Sequence, residues 1–244
     1  MPPQPRSPLA LGWEAVRANA IPAALLQATM LAILVGYYLR PTCAAVLQRL
    51  AEWKHQYGLA FVIGAAVLAA AILPELLVIG VFQRGRVRSE NARNLLFTIP
   101  VWAIDGIAVD LLYRGLAAVF GDAATLPVVA AKISVDLGVF SVFYAAPYGV
   151  LAYHWKNNGY RFAALRDALT LAFYRDRVVP TLCAIWAVWL PLTAMIYSLP
   201  LPLQFPFFSL ALTFWVLLLT YMTNRFAGRR GHPGTVALEP IPAP

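Results

Sequence analysis

Six apolar stretches, residues 21–39, 58–82, 95–119, 128–153, 178–199 and 204–223, are each long enough to cross the roughly 30 Å hydrocarbon core of a bilayer as a helix. Between them lie only short polar or amphipathic connections. Of 244 residues 61% are hydrophobic and 12% charged, against roughly a quarter charged in a soluble domain. Such a chain has too little polar surface to cover a globule, so lipid is its solvent. The predicted fold is all-α, a polytopic membrane helical bundle of about six transmembrane helices with two short interfacial helices. Its transmembrane domain spans residues 13–224, between a disordered, proline-rich arm at 1–12 and a disordered, basic and Pro-rich tail at 225–244.

The two interfacial helices are read from periodicity. In residues 41–57, Val46, Leu47, Leu50 and Trp53 share a helical face opposite Gln48, Arg49, Glu52 and Lys54. In residues 154–177, Phe162, Leu165, Leu169 and Phe173 lie opposite Arg166 and Asp167. In the second span the spacings of Ala60 with Gly64 and of Ala66 with Ala70 permit close helix contact. The third and fourth spans, joined only by the run FGDAATLP, must be antiparallel neighbours. Prolines at 74, 100, 147, 191, 200, 202 and 206 interrupt or flank the spans, and each missing N–H frees a backbone carbonyl.

Charge sets an orientation. Fourteen Lys and Arg residues fall on one side of a six-span chain, in the N-terminal segment, the loops around 84–93 and 156–177, and the tail. Only Arg40, Arg49 and Lys54 fall on the other. That split places both termini on the cytoplasmic or equivalent side of a bacterial inner membrane or a mitochondrial or peroxisomal membrane. The net charge of +8 is dispersed in short runs, not along one face, so the expected partner is the lipid bilayer with its anionic lipids and not a nucleic acid. Whether copies of the chain form a homo-oligomer is left open by the sequence.

Ionisable residues inside spans are costly and mark function by default. Here they are Glu75, Asp105, Asp110, Arg114, Lys132 and Asp136. With a rise of about 1.5 Å per residue, Asp105 falls near the midplane and Asp110 about 7 Å further out. Arg114 and Lys132 then lie level near the outer interface, and Asp136 lies level with Asp110. The pairs Asp110 with Arg114 and Lys132 with Asp136 are four apart, hence on one face of each helix. If those faces meet, they form a square whose diagonals, Asp110 to Lys132 and Arg114 to Asp136, are interhelical salt bridges. Such a square either pins the helix pair or lines a polar path. Asp105 and Glu75 are left without an intramembrane base, as a cation site, a proton relay or simple hydrogen-bonding groups. Trp186, Trp189 and Trp215 are expected to pack or to anchor at the interface.

No nucleophile elbow, HExxH helix, phosphate loop or dinucleotide fingerprint occurs. The histidines at 55, 154 and 232 fall in loops or tails, and Cys43 and Cys183 form no ligand pattern, so no metal and no cofactor is expected. An enzyme would have to work with carboxylates alone, for instance on a lipidic substrate through Glu75, Asp105 or Asp110.

Gly106, Tyr113 with Leu116, Lys132 with Asp136, Gly138 and Phe140, and then Pro191, Pro202 and Trp215, form a pattern that resembles the small peroxisomal and mitochondrial inner-membrane proteins of the Mpv-seventeen type. The similarity covers roughly residues 64–223. Ile107, Leu112, Leu137, Ala194 and Tyr197 depart from that family's residues. The resemblance implies a non-enzymatic, channel-like protein. The expected function is accordingly channel-like or transport-related passage of ions or small metabolites along a polar path between spans three and four. The rival is a structural membrane protein whose buried charges only lock the fold.

Overall fold

The computed structural model describes residues 7–230. Among them nine helices and no strand occur. They are α1 (Pro8–Ala18), α2 (Ala20–Leu39), α3 (Pro41–Tyr57), α4 (Leu59–Phe82), α5 (Ser89–Phe120), α6 (Leu126–Asn157), α7 (Phe162–Ala168), α8 (Leu171–Tyr197) and α9 (Leu201–Arg230). Six of them, α2, α4, α5, α6, α8 and the Leu201–Thr220 part of α9, are long and apolar enough to cross a membrane. The all-α bundle is as the six apolar stretches predict.

Short turns at 83–88, 121–125 and 198–200 join successive spans, which therefore run antiparallel. One end of the bundle carries α1, the 83–88 turn and α7, and is called the arginine end below. The other carries α3 and the turns at 121–125 and 198–200. The sixth span is 56% buried and the second 50%, against 22% to 28% for the other four. These two helices are the axis of the bundle. Phe205, Phe207 and Ala211 of α9 are fully buried, while Leu111, Val119, Phe143 and Leu190 present apolar surface outward, as a lipid solvent allows.

Three expectations need correction. Residues 8–12 are not an unstructured arm but the start of α1: Pro8 occupies the first turn, where a missing N–H costs nothing, and Ser7 Oγ accepts from the Ala10 amide at 3.2 Å. Residues 225–230 continue α9; the rest of both predicted tails, 1–6 and 231–244, lies outside the described residues. The helix at 41–57 does form, but it does not lay its apolar stripe outward. Leu47, Leu50, Ala51 and Lys54, spaced as one helical face, turn inward on α2 and α9, leaving Val46 and Trp53 exposed. The stretch 154–177 is not one helix either. The chain leaves helical geometry at Leu169 (φ −78°, ψ 58°), and Thr170 caps a new helix by accepting from the Phe173 amide at 3.2 Å. Residues from Leu171 onward then extend the fifth span.

Packing between spans explains several sequence features. A Cβ added at Gly106 would stand 2.5 Å from the Ala66 Cβ, so α4 and α5 approach more closely there than any larger residue permits. Gly64, by contrast, is exposed with nothing within 4 Å of such a Cβ. Pro191 cannot donate to the Ala187 carbonyl one turn earlier. Gln27 of α2 supplies the bond, its Nε2 donating to Ala187 and Val188 at 3.1 Å each. In α6 the segment Asp136–Ala145 is π-helical, with bonds to the fifth residue back. Pro147 interrupts that pattern at Val142, whose carbonyl accepts from the Tyr174 hydroxyl at 2.9 Å.

Candidate functional site

A cavity of about 490 Å³ lies between α5, α6, α8 and α9. Its mouth is at the arginine end, where the exposed Glu14, Asp176 and Arg177 line it and α1 lies alongside. Its inner limit is marked by Tyr113, Asp136, Thr193 and Phe208. Two sequence features make the space. Pro100 sits within α5, and the wide π turns run along the facing stretch of α6. The two spans stay close near their connecting turn and part toward the arginine end. The Tyr148 hydroxyl crosses the gap to donate to the Val101 carbonyl at 2.9 Å.

Asp105 projects into this cavity. It is half-buried. Among the described residues no base pairs with it and no side chain donates to it. Trp102 stands one turn before it on the same helical face and also lines the cavity. Tyr113, Tyr144 and Tyr148 lie within electrostatic reach. Phe140, Tyr144 and Tyr148 form a ladder along α6, with ring centroids 4.9 Å and 5.2 Å apart. An acid without a partner, walled by aromatic rings, can accept hydrogen bonds or balance a cation but cannot by itself assemble a metal shell. Among the described residues no group of three His, Cys, Asp or Glu side chains could hold a metal.

Asp136 also reaches the cavity, at its inner limit. Its Oδ2 accepts from the Tyr197 hydroxyl at 2.6 Å. The Tyr197 ring meets Tyr113 edge-on at 5.5 Å, and Lys132 Nζ lies 5.9 Å from the Tyr197 centroid. Lys132 is buried and reaches Asp122, in the turn before α6, at 3.8 Å. Tyr197 thus gathers Tyr113, Lys132 and Asp136 about one ring.

The predicted square does not form. Among the described residues no ion pair joins Asp110 to Lys132, Arg114 to Asp136, or Lys132 to Asp136. Asp110 is instead held between Arg114, 2.9 Å away on its own helix, and Lys54 of α3 at 2.6 Å. The Lys54 contact lies off the hydrogen-bonding direction and acts through charge. Lys54 Nζ also sits 5.2 Å from the Phe205 ring centroid. The reason one i,i+4 pair forms and the other does not is directional. Side chains lean toward the N-terminus of their helix, so Arg114 reaches back to Asp110, whereas Lys132 reaches back past the start of α6 to Asp122 and away from Asp136.

Glu75 lies outside the cavity. It is buried and accepts from Asn91 Nδ2, while Asn91 Oδ1 accepts from the Arg88 amide at 2.6 Å. It therefore fastens α4 to the N-terminus of α5. Of the six residues singled out from sequence, the structure brings Asp105 and Asp136 to the cavity, assigns Asp110 and Arg114 to one ion cluster and Lys132 to another, and sets Glu75 to hold the capping side chain of Asn91. Trp189 and Trp215 line the cavity, and Trp186 donates to the Leu137 carbonyl at 3.0 Å.

Lys54, Asp122 and Tyr197 are the site residues that sequence reasoning missed. The i, i+3, i+4, i+7 spacing of Leu47, Leu50, Ala51 and Lys54 is the one signal that pointed to Lys54. No family model, no curated protein and no solved structure matches the chain.

Proposed function

We propose that this integral membrane protein is transport-related and that its path is the cavity between α5, α6, α8 and α9. The observation that carries the reading is Asp105, an unpartnered carboxyl on the wall of a cavity whose mouth residues are exposed. Ionisable groups inside membrane bundles face the interior or a water-filled cavity and mark substrate or ion pathways. The path is wider than a seam between spans three and four, because α8 and α9 also form part of its wall. At its inner limit stand Tyr113 and Asp136, the latter tied to Tyr197, and this contact is taken as the stop. Passage therefore requires that contact to open, as in a gated or alternating device and not a permanent pore. The arginine end is proposed to face the cytoplasm, supported by its excess of arginine. We also propose a distant kinship with the Mpv-seventeen type, supported by the sequence pattern of Tyr113, Lys132 and Asp136.

The rival structural role draws its support from a different set of residues. Lys54, Asp110 and Arg114 satisfy one another outside the cavity and suit fold locking. Asp105 has no such use. Flux of ions and small solutes into proteoliposomes, compared for the wild type and Asp105→Asn, tests the proposal. The expected result is transport that the substitution reduces at least about tenfold, as for loss of a charge-assisted contact. Equal silence of both proteins across inorganic ions and small solutes would sink it.

A further inference from the structure

We propose that the cavity takes a small organic cation, an alkyl or quaternary ammonium, with its charge beside Asp105 and its apolar body against the aromatic wall. The inference names the solute class for the transport reading and rests on it.

Charge decides the sign of the ligand. The chain carries +8 overall, yet the cavity is lined by four carboxyl side chains, Glu14, Asp105, Asp136 and Asp176, and one guanidinium, Arg177. At the mouth Asp176 is already paired with Arg175 at 2.7 Å, and at the inner limit Asp136 holds the Tyr197 hydroxyl. Within the bundle Asp105 is the lining carboxyl that, among the described residues, has no side-chain partner and is free to meet a positive charge. A low-dielectric wall strengthens that attraction.

The wall then separates organic from inorganic cations. A bare metal cation needs about six oxygen ligands to replace its water, and among the described residues Asp105 belongs to no group of three His, Cys, Asp or Glu side chains that could hold one. A quaternary ammonium ion has no N–H to hydrate, is weakly hydrated, and is stabilised by aromatic faces as well as by a carboxylate. The lining offers those faces in Trp102, Tyr113, Tyr148 and Trp189. The volume, about 490 Å³, is in the range of sites for small organic ligands.

The test is equilibrium binding of radiolabelled tetraethylammonium to the purified full chain in detergent, where no gradient exists. Saturable binding is expected, displaced by choline but not by 3,3-dimethylbutan-1-ol, its uncharged isostere. Asp105→Asn is expected to weaken binding by roughly tenfold or more. Displacement by choline alone marks a soluble cation as the occupant. Displacement by lysophosphatidylcholine as well marks a choline headgroup, and both results keep the ammonium at Asp105. The inference is overturned if the neutral isostere competes as well as choline, a comparison that needs no variant, or if Asp105→Asn binds within about twofold of the wild type. Vesicle flux of other solutes without ammonium binding defeats this inference alone. Ammonium binding without any flux defeats the transport reading and leaves the site.

Discussion

The Tyr197 hydroxyl donates to Asp136 at 2.6 Å, and this one contact ties α8 to α6 at a residue that lines the inner limit of the cavity. Both residues are buried. Tyr197→Phe keeps the ring against Tyr113 but leaves the carboxyl without its donor. We expect thermal stability in detergent to fall by the equivalent of about 1–3 kcal/mol and solute leak through proteoliposomes to rise. An unchanged melting temperature together with unchanged leak would remove the contact from any gating role.

Asp110 depends on α3 as much as on its own helix. Replacing Lys54 by Met removes the closer of its two cations and leaves Arg114, which is more than half exposed. A loss of about 1–3 kcal/mol is expected, smaller than the 3–5 kcal/mol typical of a wholly buried pair. Exchanging Lys54 and Asp110 together should recover more folded protein than either single reversal. Exchanging Lys132 and Asp136 should give no such recovery, because each has a different partner. Size-exclusion profiles of the four single reversals and the two exchanges compare these outcomes directly.

The positions of the spans were legible because twenty apolar residues in a row leave few alternatives, and Asp105 was legible as a midplane acid for the same reason. Partners were not. Lys54 was read as the wet side of a surface helix, since nothing local says that α3 folds inward. Asp122 sits in a turn, where an acid attracts no notice. The square failed because matching depth along two helices says nothing about which way a side chain leans, and Lys132 leans toward the turn. The π turns from Asp136 to Ala145 add a further difficulty, since they change the azimuth of every later residue in α6 without a sequence signature.

Gly106 and Ala66 set the spacing of α4 and α5. Gly106→Ala puts two Cβ atoms 2.5 Å apart, so the helices must separate. We expect destabilisation of about 1–3 kcal/mol, relieved in part by Ala66→Gly in a double-mutant cycle. Additive losses would show that the two positions do not touch.

Gln27 completes what Pro191 leaves undone. Gln27→Leu strands the Ala187 carbonyl within a span, on the outward side where lipid offers no donor, and should cost about 1–3 kcal/mol. Restoring the amide with Pro191→Ala should make the same Gln27 substitution cheaper. Unfolding of the two single variants and the double variant measures that coupling.

α1 rests on α8 with so little clearance that a Cβ at Gly12 would come 2.7 Å from Cys183 Sγ. The sulfur is half-buried, and α1 is joined to α2 through Asn19 alone. Gly12 shields one side of the sulfur while the helix is seated, so the thiol reacts faster whenever α1 lifts. Its alkylation rate, normalised to that of the exposed Cys43, is therefore a clock for the seating of α1 on α8, and a solute that holds α1 down would slow it.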